Sequence, residues 1–220
     1  MSSRRVRSGV WQGLAAATLL SAALAALSSP RSVGAARPPL LPVPLISQAT
    51  PWTCGAAALM AALIYFGVFD EPESRLDVDL RATPEQGVTP QRIALEARTF
   101  GLAAEVRTGM TLGELVEELD RGSLVIVALQ AWPSRPAADP ATGWEDGHYI
   151  VVVGLDDERI YAMDPSVRTG YAYLTRDELL RRWHDYDVRD GSCAAYERLG
   201  IVLRGRPAMR SYPAETTPIE

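Results

Sequence analysis

The sequence predicts an α+β domain, with helices in the N-terminal half packed against an antiparallel sheet from the C-terminal half. Two observations predict it. Up to about residue 122 the apolar residues recur at helical spacing. Beyond that point they gather into continuous β-branched runs separated by turn-length breaks. Helices first and strands later is the order of an α+β domain, not of an alternating α/β one.

Taken in order, "RPPLLPVPL" (37–45) is an extended, proline-rich lead-in. Residues 54–66 have helical apolar spacing and stop at Gly67, a common terminator. Residues 68–88 are acidic and read as irregular. "TPQRIALEARTFG" (89–101) is a second helix, with Thr89 as cap, Pro90 in the first turn and glycine at the end. "LAAEVRT" reads as a strand and "TLGELVEELDRG" (111–122) as an amphipathic helix. "SLVIVALQ" (123–130) and "HYIVVVGLD" (148–156) are apolar enough for buried strands. Between them, 132–147 is a loop by composition. "DDER" turns the second strand into "IYAMDP" (160–165), which makes a hairpin. "YAYL", "TRDELLRRW" and "RLGIVLRG" follow as strand, short helix and last strand. "RDGSC" reads as a loop, and the tail after Arg206 as loose.

Residues 1–36 predict a secretory signal peptide. Arg4, Arg5 and Arg7 precede an uncharged run over 10–27, and Val33, Gly34, Ala35 and Ala36 form a small-residue cleavage site. An uncleaved anchor is the alternative, because such a run is at the lower limit for spanning. The expectation is an exported protein, periplasmic or extracellular, with a mature domain over 37–206 and a tail over 207–220. The mature chain keeps eighteen arginines against twenty-seven acids, a net charge of −9, and has no lysine. That balance argues against nucleic acid or an anionic membrane as partner, since both call for a basic face. No second hydrophobic stretch is long enough to span a bilayer.

Chemistry gathers around the first of two cysteines. Cys54 follows a Pro-Trp-Thr turn and opens the first helix, with Thr53 in place to cap it. Unpaired N–H groups and the positive helix end favour thiolate over thiol there. Gly55 and Ala56 to Ala58 leave room beside the sulfur. The alternatives are a small buried hydrophobe or a disulfide with Cys193. A thiol nucleophile needs a base, and the chain has two histidines. His148 begins a strand, whereas His184, among charges in "RRWHDYD", reads as a solvated surface residue. Asp164 ends the strand that pairs with the one carrying His148, so a hairpin brings the two to one end. Gln48, six positions before Cys54, can stabilise an oxyanion together with the Cys54 N–H. Trp52, Trp132 and Trp144 are candidates to line a cleft. No metal or cofactor is called for. A zinc site is disfavoured because Cys54 lacks a close second ligand.

Gln48, Cys54, His148 and Asp164, in this order and setting, resemble the papain-like cysteine peptidases of clan CA. The nearer resemblance is to family 39-like members, free-standing and exported relatives of the bacteriocin-processing, double-glycine leader peptidases. "TCGAAALMAALIYFG", "GHYIVVVGLDD" and "AMDPS" carry it, and softer similarity covers most of the mature chain. Exporter-linked members usually have Asp before the cysteine; here it is Thr53. The resemblance implies a papain-like fold and a cleft between the Cys54 helix and the sheet. It also implies a cysteine peptidase or amidase acting on a peptide or protein. Two other readings stay open: an acyl or γ-glutamyl transferase of phytochelatin-synthase type, and a non-catalytic binding domain on the same scaffold.

Overall fold

The computed structural model describes residues 39–132, 139–189, 192–212 and 215–219. The segment expected to be a signal peptide lies outside them. In chain order the elements are α1 (Cys54–Tyr65), α2 (Glu73–Leu80), α3 (Pro90–Thr99), β1 (Ala103–Arg107), α4 (Leu112–Asp120) and β2 (Leu124–Gln130). Then come β3 (Gly147–Leu155), β4 (Arg159–Met163), β5 (Gly170–Thr175), α5 (Arg176–Arg182), β6 (His184–Arg189), β7 (Ser192–Glu197), β8 (Gly200–Arg204) and β9 (Glu215–Pro218).

Seven strands form one sheet in the order β1-β8-β2-β3-β4-β5-β9, and β6 and β7 form a separate hairpin. Every pairing in the large sheet is antiparallel except β5 with β9. The central strands read as unbroken apolar runs because both sheet faces are covered. Leu124, Ile126, Ala128 and Val151 face a core shared with α1, α2 and α3. Val125, Val127, Leu129, Ile150 and Val152 face a second core that contains Leu115 of α4 and Leu179 of α5. Each fully buried Leu or Ile of this set stabilises the fold by about 1.5–3 kcal/mol. The mixed α+β architecture is thus as expected, with α4 and α5 as an additional layer.

Local signals explain most boundaries. α4 and α5 each start with a full capping box, Thr111 with Glu114 and Thr175 with Glu178. Thr89 occupies the cap position of α3 but its side chain makes no capping bond. Glu118 of α4 is buried and accepts from Arg204 Nη2 at 2.7 Å, Arg107 Nη1 at 3.1 Å and Ser123 Oγ at 2.9 Å. Burial alone would raise its carboxyl, but these bonds hold it at about 2. α4 is thereby pinned to β1 and β8.

Three expectations are corrected. The 68–88 segment contains α2, whose buried contacts come from Leu76 and Leu80, four apart on one face. Its other positions are polar or exposed, so its period is faint. The tail after Arg206 is not loose throughout. Ala208 and Met209 N–H groups both donate to Tyr65 O, and β9 pairs in parallel with β5. Cys193 lies on β7, opposite Val188, and not in a loop. Among the described residues no helix is long and apolar enough to cross a membrane.

Candidate active site

The start of α1 is shaped by the turn before it. Thr50 N–H donates to Thr53 Oγ1 at 3.0 Å, and Thr53 Oγ1 donates to Thr50 O at 3.2 Å. The Thr53 hydroxyl is spent inside this turn and does not cap the helix, which corrects the expected role. The first intrahelical bond runs from Ala57 N–H to Thr53 O at 3.0 Å. The N–H groups of Cys54, Gly55 and Ala56 therefore have no acceptor within the helix, and the positive helix end stays open beside the sulfur. Cys54 is 8% exposed. It lines a cleft of about 260 Å³ together with Trp52, Trp144, Gly147 and Tyr149. Gly55 lets α1 lie close to its neighbours. A Cβ there would stand 3.1 Å from Ile93 Cδ1 and 3.2 Å from Tyr149 Cδ2.

The hairpin of β3 and β4 supplies the other wall. Val151 pairs with Met163, and a register shift follows between Val152 and Gly154. His148, near the start of β3, and Asp164, just past the end of β4, come together at one end. Both are buried, and His148 Nε2 meets Asp164 Oδ1 at 2.8 Å. Ser166 fixes the same oxygen, donating from its N–H at 2.8 Å and its hydroxyl at 2.6 Å. Burial disfavours a charged imidazole, but hydrogen bonds to Asp164 and then to Cys54 outweigh it and raise His148 to about 10. The Asp164 carboxyl is lowered. Burial works against its charge, yet the His148 bond and charge and the Ser166 donors prevail. With Nε2 engaged by Asp164, Nδ1 is the ring nitrogen left for the sulfur. Trp132 packs edge-on against the imidazole with ring centroids 4.6 Å apart. Trp52 and Trp144 line the cleft as expected; Trp132 covers His148 instead.

Gln48 arrives on an extended strap laid across the sheet. Leu41 N–H donates to Val153 O at 2.8 Å, and Tyr171 Oη donates to Val43 O at 2.6 Å. Gln48 N–H then donates to Pro165 O at 3.0 Å, beside Asp164. Its Nε2 donates to Thr50 O at 2.9 Å, in the turn that leads to Cys54. One of its two amide hydrogens remains for another acceptor. All four residues singled out by sequence thus lie on elements that converge: the strap and α1 on one side, β3 and the end of β4 on the other.

One residue of this region was missed and one misread. Asp185 of β6 is buried and lines the cleft; its Oδ1 accepts from Gln130 Nε2 at 3.2 Å and from Tyr186 N–H at 2.8 Å. Gln130 Oε1 in turn accepts from Asp146 N–H at 2.9 Å. The available signal was the alternation in "HDYD", which on a strand puts both acids on one face. His184 is likewise buried and not solvated. Its Nε2 donates to Gly143 O at 2.8 Å, and its ring packs tilted against Trp144 with centroids 4.5 Å apart. Both cysteines are free, Cys193 being exposed. No group of three or more metal-ligating side chains occurs among the described residues. The 132–147 loop contributes Trp144, Glu145 and Gly147 to the cleft; residues 133–138 lie outside the described ones.

Comparison with known proteins bears on the family and the fold. Residues 40–188 match the model of the Peptidase_C39 like family. A double glycine motif protease from an AMS/PCAT transporter, solved with its leader peptide, is similar in fold at 20% identity. That match has a TM-score of 0.52 and covers 76% of this chain and 94% of that one. A C39-like peptidase from Bacillus anthracis matches at 18% identity and TM-score 0.56, over 76% and 97%. The peptidase domain of Streptococcus ComA, a bifunctional ABC transporter of a quorum-sensing pathway, matches at 18% identity and TM-score 0.54, over 74% and 98%. No curated protein matches at a significant level. Because the family match spans well over half of the sequence, the chain belongs to the Peptidase_C39 like family and has the papain-like fold of clan CA.

Proposed function

We propose that the protein is a cysteine peptidase or amidase that cleaves a peptide or amide bond through a thioacyl intermediate on Cys54. The observation that carries this reading is His148, held by Asp164 at 2.8 Å and raised in pKa by Asp164 and Cys54, with Cys54 lining an open cleft. The Cys54 sulfur adds to the substrate carbonyl carbon, its proton going to His148 Nδ1. The carbonyl oxygen takes up negative charge and is met by the Cys54 N–H and the remaining Gln48 amide hydrogen. The C–N bond breaks as His148 Nδ1 gives its proton to the departing amine. Water then attacks the thioester and passes a proton back to His148, and the acid leaves as the C–S bond breaks. Asp164 keeps the imidazole in the orientation this cycle needs and favours its charged form.

The substrate is a peptide or protein. The solved relative with a bound leader peptide supports that class. Export rests on the sequence of residues 1–36 alone. N-terminal sequencing of the secreted form should find a start near residue 37; a cell-retained full-length chain would reject export. The catalytic reading is tested with internally quenched peptides and an iodoacetamide probe. Wild type should cleave and label at Cys54, and Cys54→Ala should do neither. His148→Ala should label more slowly at pH 6. Labelling at pH 6 that is no faster than a free thiol, and is indifferent to His148→Ala, would remove the catalytic case.

A further inference from the structure

The far side of the Cys54 cleft is acidic. β6 places Asp185 and Asp187 on it, and Glu145 enters from the loop before β3. None of the described residues that line the cleft is Lys, Arg or His. Within this wall the Asp185 carboxylate occupies a built position. Gln130 Nε2 and the Tyr186 N–H hold Oδ1. Gly147 makes room for it: a Cβ there would stand 2.5 Å from Oδ2 and 2.6 Å from Oδ1. Gly147 directly precedes His148, so the carboxylate sits beside the end of the strand that carries the base.

Both of these donors to Asp185 are dipoles, an amide and a backbone N–H, and neither brings a positive charge. Burial pushes the carboxyl up to about 7, and Asp187 pushes the same way; Tyr186, Gln130 and the nearby His148 offset this only in part. A buried carboxylate held this way is expensive in the empty cleft and becomes favourable once a cation meets it. We propose that Asp185 is the specificity-determining residue of the cleft, and that it receives an arginine or lysine side chain of the substrate close to the scissile bond. The proposal rests on the cleft being the substrate site of the peptidase reading.

The test reads binding, not turnover, on the full chain carrying Cys54→Ala. Labelled peptides bear one arginine at each position flanking a central amide bond in turn, each matched by a peptide with citrulline, a neutral near-isostere. Fluorescence anisotropy should show at least one position where arginine binds about tenfold tighter, the scale of one charge-assisted hydrogen-bonded pair. Adding Asp185→Asn should bring that ratio close to one. Should that variant fail to fold, Gln130→Ala, which removes the brace, reads the same loss. Equal affinity for arginine and citrulline at every position overturns the proposal. So does a preference that survives Asp185→Asn. Wild type that hydrolyses no peptide, while the arginine preference persists, would sink the peptidase reading and reduce Asp185 to the cation-recognising residue of a binding cleft.

Discussion

Replacing Asp185 with asparagine should stabilise the protein at pH 8, although it weakens the function assigned to the residue. In the fold the carboxyl titrates at about 7, mainly through burial, against an ordinary value of 3.8. Between those values the folded state holds a proton that the unfolded state has lost, so stability falls as pH rises, and the whole penalty is present above 7. About three units at 1.36 kcal/mol each set a ceiling of about 4 kcal/mol. Some of this is already lost at pH 5, so about 3 kcal/mol remains to appear between pH 5 and pH 8. An amide keeps an oxygen to accept from Gln130 and Tyr186 and carries no charge. Urea unfolding of wild type and Asp185→Asn at both pH values gives the answer. The variant's advantage should grow by roughly 2–3 kcal/mol from pH 5 to pH 8. If the two proteins respond to pH in parallel, the carboxylate is not desolvated, and the argument from its burial is wrong.

Asp164→Asn should lower the His148 pKa from about 10, measured from the imidazole C–H resonance. The sign follows from the raised value. The charged ring stabilises the fold fully below 6.5, and this contribution is lost as pH rises through about 10, so the variant should lose its alkaline stability at lower pH. Gln48→Ala should cut kcat by about 10²–10³ with little change in KM, because the lost donor acts on the developing oxyanion. Alkylation of Cys54, which forms no oxyanion, should proceed as in wild type. Gly147→Ala should cost about 1–3 kcal/mol in urea unfolding, since its Cβ collides with the Asp185 carboxylate. A variant as stable as wild type would show that the carboxylate moves freely.

The sequence was most informative where one residue type and one local pattern decide the matter. Cys54 is followed by small residues and preceded by a turn, so the start of α1 was visible. β2 and β3 were visible because an apolar run covered on both faces looks the same in sequence and in space. His148 and Asp164 were paired by hairpin arithmetic, and their meeting needed only a short turn. What stayed hidden depends on partners far along the chain. β9 pairs with a strand more than forty residues earlier, and nothing in its own residues announces the parallel register. His184 read as solvated and Asp185 went unnoticed because their partners, Gln130 on β2 and Gly143 in the loop before β3, are remote in sequence. Thr53 has the right identity for a cap, but the neighbouring Thr50 competes for its hydroxyl and wins.

The strap before Cys54 ties the placement of Gln48 to the trimming of the polypeptide. Its first anchor is the Leu41 N–H on Val153, and Gln48 is held at its far end. An aminopeptidase that nibbled past residue 41 would release this tether while leaving the nucleophile, base and sheet untouched. Such a product would keep the Tyr171 bond to Val43 and the Gln48 bond to Pro165, so it would be folded and would hold Gln48 less firmly. If the proposed N-terminal cleavage and activity both hold, the site of that cleavage has a narrow tolerance, because each residue lost beyond 41 removes part of what positions Gln48.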